Sequence, residues 1–205
     1  MKKLFLSSSF KDVAPCLVHF AVENLEGKKV TFIPTASIPE KVKFYVNSGK
    51  KALENLGLVV DEIEISTATW DEIESKIRGN DYIYITGGNT FYLLQELRRS
   101  GADKIIAEEV NAGKLYIGES AGSMILSPNI EYVRLMDNVQ EAPALDSFAA
   151  LGIIEFYPVP HHTNIPFKKA VENIIEEYGS QLNLYPISNE EVILVEDDRI
   201  KVENA

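Results

Sequence analysis

Several kinds of residue are scarce in this sequence of 205 residues. It has a single cysteine, Cys16, so it cannot form an internal disulfide, and nothing indicates an oxidising compartment. Basic side chains are also few, because 20 lysines and arginines stand against 31 aspartates and glutamates, a formal net charge of −11. Binding to nucleic-acid phosphates or to anionic membrane surfaces depends on a basic surface, so this balance argues against both partners.

Long hydrophobic runs are absent as well. No stretch approaches the roughly 18 apolar residues that a membrane span needs. The apolar run after Lys2-Lys3 is broken by Ser7-Ser8-Ser9, too early for the core of a signal peptide. Hydrophobic residues at 45% and charged residues at 25% are typical of a globular protein. We therefore expect a cytoplasmic protein with one domain over residues 1–205.

Apolar runs typical of buried strands alternate with helical patterns in the first 120 residues. This rhythm predicts a mostly parallel sheet with helices on both faces, and ligands of such folds bind where the strands' carboxyl ends meet. The spacing of Val13, Leu17, Phe20 and Leu25 predicts a first helix through these residues. The predicted strands are Lys3–Ser9, Lys28–Ala36, Leu58–Ile65, Asp81–Thr86 and Lys114–Gly118, and the other predicted helices are Glu40–Leu56, Trp70–Ile77, Thr90–Ser100 and Asp103–Ala112.

The pattern is looser after residue 127, where a polar segment extends to Leu145. The elements predicted beyond it are a helical turn over Asp146–Gly152, a strand over Phe156–His161, a helix over Phe167–Tyr178, a short strand over Leu184–Ile187 and a hairpin of Glu191–Glu196 with Ile200–Glu203.

The sequence Gly118-Glu119-Ser120-Ala121-Gly122 lies between a predicted strand and a predicted helix. A G-x-S-x-G at such a junction is typical of a nucleophile elbow, a strained turn that exposes the serine hydroxyl above the sheet. The backbone N–H of Ala121, just after the serine, is suited to stabilising an oxyanion. Ser120 is therefore the candidate nucleophile, and a helix-capping serine is the alternative.

A serine nucleophile needs a base, and the chain has three histidines. His19 falls within a helical run and is expected to be structural. His161 and His162 follow a predicted strand, at the rim where Ser120 should lie. One of these two is the expected base, and spacing alone does not decide which.

Thr86-Gly87-Gly88-Asn89-Thr90 is a second glycine-rich turn between strand and helix. It matches neither a dinucleotide fingerprint nor a phosphate-binding loop. It can supply a second oxyanion donor with Asn89 capping the helix, or it is simply a tight turn. No cofactor or metal is expected, because the adjacent histidines of an extended segment point opposite ways and no cysteine cluster occurs.

The acid that would orient the histidine is not determined by spacing, because several carboxylates lie in segments that can reach the rim. These are Asp137, Asp146, Glu190 and Glu191.

Three segments together resemble a known family. They are YITGGNTFYLLQELRRSG (84–101), LYIGESAGSMIL (115–126) and PHHTN (160–164), and they are similar to the peptidase E aspartyl dipeptidases of the S51 serine peptidases. The resemblance implies a three-layer α/β sandwich like that of class I glutamine amidotransferases, a flavodoxin-like fold. It also implies Ser120 as nucleophile, His161 as base, and the N–H groups of Gly88 and Ala121 as oxyanion donors.

The resemblance leaves the third catalytic residue and the substrate open. It places Asp137 near one family position for the acid, and at the other position Asn189 falls close, with Glu190 just after it. The family's substrate-binding arginine has no counterpart between Asn164 and Arg199, so strict aspartyl specificity is not expected. Lys168 and Lys169 are expected on a solvated helix face.

We therefore predict a serine peptidase that hydrolyses small peptides, as a monomer or weak dimer. An esterase or amidase with the same elbow, and a non-catalytic binding protein of the same fold, are the alternatives.

Overall fold

A seven-stranded sheet forms the centre of the protein, whose computed structural model describes residues 2–205. The strands of this sheet are β1 (Lys3–Ser7), β2 (Lys29–Ile33), β3 (Val59–Glu62), β4 (Tyr82–Ile85), β5 (Leu115–Glu119), β8 (Glu191–Glu196) and β9 (Arg199–Asn204). Their order is β3-β2-β4-β5-β1-β8-β9, and the first five run parallel while β8 and β9 are antiparallel. A separate pair, β6 (Tyr157–Val159) and β7 (Leu184–Pro186), is parallel.

Helices cover both faces of this sheet, as the alternating pattern predicted. One face carries α1 (Phe10–Ala21) and α2 (Phe44–Asn55), and the other carries α3 (Trp70–Gly79), α4 (Thr90–Ser100), α5 (Ala102–Asn111), the short α6 (Ala121–Met124) and α7 (Lys168–Tyr178). None of the helices within residues 2–205 is long and apolar enough to cross a membrane.

Side chains of β1 show why the strands have continuous apolar sequences. Leu4 and Leu6 pack into the core under α3–α7, whereas Phe5 packs into the core under α1 and α2. Successive residues of a strand face opposite sides, so a strand buried on both faces needs apolar residues at every position. The three-layer α/β architecture follows from this two-sided burial, and the prediction of a mostly parallel sheet is confirmed.

Two predicted elements differ from the structure. The helix expected from Glu40 begins at Phe44, because residues 40–43 follow a 3-10 turn at Thr35–Ser37 and form an exposed segment. Val42, which falls within the predicted helix, is 59% exposed.

The helical turn expected over Asp146–Gly152 is instead extended. Its backbone pairs with the segment around Asn129, and the Arg98 guanidinium donates to the carbonyls of Ser147 and Ala149. These long-range bonds replace the local bonds of a helix.

Candidate active site

Ser120 lies in a strained turn directly after β5. Its backbone angles are φ 50° and ψ −107°, a region that residues with a side chain rarely adopt. Its N–H donates to the carbonyl of Ser7 (2.9 Å), and its own carbonyl accepts from the N–H groups of Ser123 and Met124. These bonds hold the strained conformation between β1 and α6.

Both glycines of the G-x-S-x-G sequence are required by close packing of the backbone. A Cβ on Gly118 would lie 2.6 Å from the carbonyl oxygen of Gly122, and a Cβ on Gly122 would lie 2.2 Å from that of Ile85. The turn therefore presses against β4 at a distance that only glycine permits.

The Ser120 hydroxyl meets His161, which follows β6. Ser120 Oγ lies 3.0 Å from His161 Nε2. The His161 N–H donates to Ser8 Oγ (3.0 Å), and its ring stacks on Phe167 with centroids 4.7 Å apart. Burial lowers the pKa of His161, so the neutral imidazole, which is the form able to accept a proton, is favoured.

The other ring nitrogen of His161 faces an amide. His161 Nδ1 lies 2.9 Å from Asn189 Oδ1, and an amide oxygen only accepts hydrogen bonds. Nδ1 must therefore carry the proton, which leaves the Nε2 lone pair directed at Ser120. Asn189 is held in turn, because its N–H donates to Asn164 Oδ1 and the Asn164 N–H donates to the carbonyl of His161.

Asp137 and Glu190, the two carboxylates assigned to this position, lie elsewhere. The Asp137 carboxylate accepts from the N–H (2.8 Å) and hydroxyl (2.6 Å) of Thr90, at the start of α4. Glu190 is exposed, and neither residue bonds the imidazole within residues 2–205. Asn189 and Glu190 lie in the turn before β8, and this turn directs Asn189 to the imidazole while Glu190 is exposed.

Gly87 and Gly88 bring a second backbone segment against Ser120. Gly88 has φ 138°, and a Cβ there would lie 2.1 Å from the carbonyl oxygen of Ala36. A Cβ on Gly87 would lie 3.2 Å from Ser120 Cβ, so the loop touches the serine. Asn89 caps α4 by accepting from the N–H of Tyr92. In the described part of the chain, no acceptor bonds the N–H of Gly88 or Ala121.

An open cleft of about 620 Å³ is lined by Gly87, Gly88, Ser120, His161 and Asn189. Apolar walls come from the start of α2 and from the segment Ile165–Phe167. The charged residues that line it are the lysines Lys11 and Lys41 and the carboxylates Asp12, Glu40, Glu119, Asp137 and Glu141. Lys168 and Lys169 do not line this cleft.

Two carboxyl groups that line the cleft have raised pKa values. Burial raises the pKa of Asp137 to about 6, with Glu40 adding to the effect, and raises that of Glu119 to about 7. The phenol of Tyr45 faces Glu40, Glu119 and Asp137, which together with burial raise its pKa, and its oxygen has no hydrogen-bond partner. The Asp137–Glu40–Tyr45 corner is therefore polar, and within residues 2–205 neither carboxylate forms a salt bridge.

Sequence reasoning missed Glu119 and Tyr45. Glu119 was visible as the residue before the serine, but only the fold shows its carboxylate accepting from the Phe10 N–H and the Tyr84 hydroxyl. Tyr45 had no motif around it. Among residues 2–205 no group of three or more metal-ligating side chains is present.

Comparisons with known proteins identify the family of the chain. The model of peptidase family S51 matches residues 4–203. An uncharacterised peptidase from Listeria innocua is 56% identical over 200 residues, which cover 98% of this chain and 95% of the relative. Peptidase E of Shewanella amazonensis is 34% identical, over 80% of this chain and 68% of that protein.

A solved structure supports the same assignment. The crystal structure of a candidate peptidase E protein from Listeria monocytogenes superposes with a TM-score of 0.95 at 53% identity, covering 100% of this chain and 99% of that one. The chain belongs to peptidase family S51 and is a serine-type peptide-bond hydrolase.

Proposed function

We propose that the protein is a dipeptidase-like enzyme that cleaves small peptides through Ser120 and His161. The observation that carries this proposal is the 3.0 Å contact between Ser120 Oγ and His161 Nε2 on a strained turn. A hydroxyl next to a neutral imidazole whose far nitrogen is already a donor is arranged for nucleophilic attack.

The proposed reaction has two stages. Ser120 Oγ bonds to the scissile carbonyl carbon while its proton passes to His161 Nε2, and the N–H groups of Gly88 and Ala121 bind the oxyanion. The C–N bond then breaks, and Nε2 returns the proton to the leaving amine, which produces a serine ester. Water, deprotonated by the same nitrogen, attacks the ester and releases the acid and free Ser120.

Asn189 serves this mechanism as a positioning residue. Its amide oxygen fixes the tautomer of His161 and offers a dipole to the imidazolium, where a carboxylate would offer a full charge.

The Asp137–Glu40–Tyr45 corner supports a substrate with a free amino end. In the part of the chain that the structure describes, Glu40 and Asp137 form no salt bridge and the phenol oxygen of Tyr45 has no hydrogen-bond partner. An α-ammonium group would complete this site. The corner belongs to the same cleft as Ser120, so the bond near that amino end is the one presented to the serine.

We propose that aspartyl specificity is relaxed. No arginine lines the cleft in the described chain, and its two lysines face five carboxylates. A lysine offers a point charge, without the paired hydrogen bonds that an arginine gives to a carboxylate.

A dipeptide panel tests these proposals. We expect Ala-X, Leu-X and Gly-X to be cleaved within about tenfold of Asp-X, a difference of about 1.4 kcal/mol in transition-state binding. N-acetylation should abolish turnover, since it removes the ammonium charge, and Ser120→Ala should remove all activity.

Several outcomes of the panel would contradict the proposal. Exclusive Asp-X cleavage would show that the lysines suffice for strict selection. Equal turnover of acetylated peptides would remove the role of the corner. A serine-directed phosphonate that labels Ser120 in an enzyme inactive on every dipeptide would show a working nucleophile with a different substrate class.

A further inference from the structure

One edge of the central sheet is open at β9. This strand pairs with β8 on one side, from Glu191↔Asn204 to Glu196↔Arg199, and within residues 2–205 no strand pairs with its other side. Ile200 is 39% exposed and Val202 is 42% exposed. Unpaired backbone groups at such an edge are a template for another strand.

We propose that this edge binds a second copy of the chain through antiparallel pairing of the two β9 strands. The strand reads Arg199-Ile200-Lys201-Val202-Glu203 and is complementary to itself in that orientation. With the twofold axis at Lys201, Arg199 lies opposite Glu203 of the second copy, and Ile200 lies opposite Val202. Symmetry repeats both pairs.

Charge and shape both favour this occupant. Opposite charges and aliphatic side chains facing each other across antiparallel strands are stabilising, and a twofold dimer is the commonest closed assembly. At the twofold axis, Lys201 lies opposite Lys201 of the second copy, and these two like charges repel each other. The ammonium of Lys201 lies 2.6 Å from the carboxylate of Glu203, which offsets that repulsion.

The opposite edge of the sheet lacks this complementarity. The charged side chains of β3 are the acids Asp61 and Glu62 alone, with no cation on the strand. Antiparallel pairing of two β3 strands brings no cation opposite either carboxylate. Lysines on edge strands commonly prevent pairing, but in β9 the lysine lies between charges of opposite sign.

The surroundings of β9 leave room for the second copy. A groove of about 360 Å³ separates α1 from β8 and β9, on the face that carries Arg199, Lys201 and Glu203. The helix therefore does not cover the charged face of the edge strand.

Sedimentation velocity over micromolar to millimolar chain concentrations tests the proposal. We expect a monomer–dimer equilibrium for the natural chain. Arg199→Glu and Glu203→Arg should each raise the dimer dissociation constant at least about tenfold, because two favourable charge pairs become two like-charge pairs.

Mixing the two variants tests whether residues 199 and 203 of the two copies face each other. A chain with carboxylates at 199 and 203 faces a chain with guanidinium groups at both positions, so an equimolar mixture should form a heterodimer. Glu62→Arg on β3 is the matched control and should leave the equilibrium unchanged, and thermal unfolding checks that every variant is folded.

A natural chain that stays monomeric overturns the proposal. A dimer that tolerates both substitutions, or a mixture that fails to associate more tightly than either variant, overturns it as well. All of these readouts are independent of peptidase activity, so they do not share the outcome of the dipeptide panel.

Discussion

At the residue scale, the arrangement of interest is an imidazole held between a hydroxyl and an amide. Asn189 accepts the Nδ1 proton of His161 as a carboxylate would, but it brings no negative charge. Burial therefore lowers the pKa of His161 against only a weak opposing effect from the amide. The imidazole of His161 therefore stays neutral, and able to accept a proton, down to a lower pH than the imidazole of a histidine paired with a carboxylate.

Substitutions of Asn189 test this role through the pH profile. Asn189→Ala should lower kcat by at least about tenfold, since the ring loses the bond that fixes its tautomer. Asn189→Asp should keep activity and move the acid limb of kcat/KM to higher pH, because a carboxylate raises the pKa of His161.

An exposed asparagine provides the control for this pair. Asn183→Asp makes the same chemical change on the loop before β7 and should leave the profile in place. If Asn189→Asp leaves the acid limb where it is, the proposed role of the amide is wrong.

At the element scale, the site is assembled from two turns that follow neighbouring strands. β4 and β5 are parallel and in register from Tyr82↔Leu115 to Ile85↔Gly118, so Gly87-Gly88 and Ser120 emerge side by side. Ser7 of β1 adds the carbonyl that holds the Ser120 N–H. Parallel pairing of these strands therefore brings the loop that we propose as an oxyanion donor against Ser120.

Gly88→Ala tests this assembly. Its Cβ would lie 2.1 Å from the carbonyl oxygen of Ala36, so the loop must shift and move the N–H of residue 88 away from the oxyanion. We expect kcat to fall about 100-fold or more, measured with the best dipeptide of the panel.

Gly27→Ala is the matched control for this loop. Gly27 also has positive φ (76°), but nothing lies within 4 Å of its added Cβ. It should cost about 1 kcal/mol of stability and leave kcat unchanged. Equal kcat losses in both variants would show that general destabilisation, and not the oxyanion loop, is the cause.

At the scale of the whole molecule, acidic groups decide how stability depends on pH. The buried Glu119 and the half-buried Asp137 have raised carboxyl pKa values, about 7 and about 6, so the folded protein binds their protons more tightly than the unfolded chain does. The stability that these two protonated carboxyls contribute is therefore lost as pH rises from their ordinary pKa to the raised pKa of the folded protein. The pKa values of Asp61 and Asp81 are lowered in the folded protein. These carboxylates therefore stabilise the fold fully only at pH values above the ordinary aspartate pKa, and this contribution is lost as pH falls.

We therefore expect maximal stability near pH 4.5, roughly the ordinary carboxyl pKa of the unfolded chain, and a decline up to about pH 7. Glu119→Gln cannot ionise, so its free energy of unfolding should decline less over that interval, by up to about 3 kcal/mol. Denaturant unfolding at several pH values measures the difference. Glu176→Gln, at an exposed position of α7, is the control, and a Glu119→Gln curve parallel to the natural one would contradict the assignment.

Cytoplasmic location and the organisation of residues 1–205 as one domain remain predictions from the sequence.

The strand–helix order and the position of the Ser120 turn could both be predicted from the sequence. Hydrophobic periodicity and glycine spacing are local properties, and they show where a strand ends and a turn must be tight. Local pattern was wrong at Glu40 and at Asp146–Gly152, where an exposed segment and long-range bonds from Arg98 replaced helices.

The contacts between the side chains of the site depend on the folded chain. Spacing left His161 and His162 equivalent and offered several carboxylates for the ring, and only the family resemblance favoured His161. In the folded chain His161 contacts Ser120, and Asn189 contacts His161. The partners of His161 lie 41 and 28 residues away along the chain. Contacts over such separations depend on strand pairing and on the direction each loop turns, which no local pattern encodes.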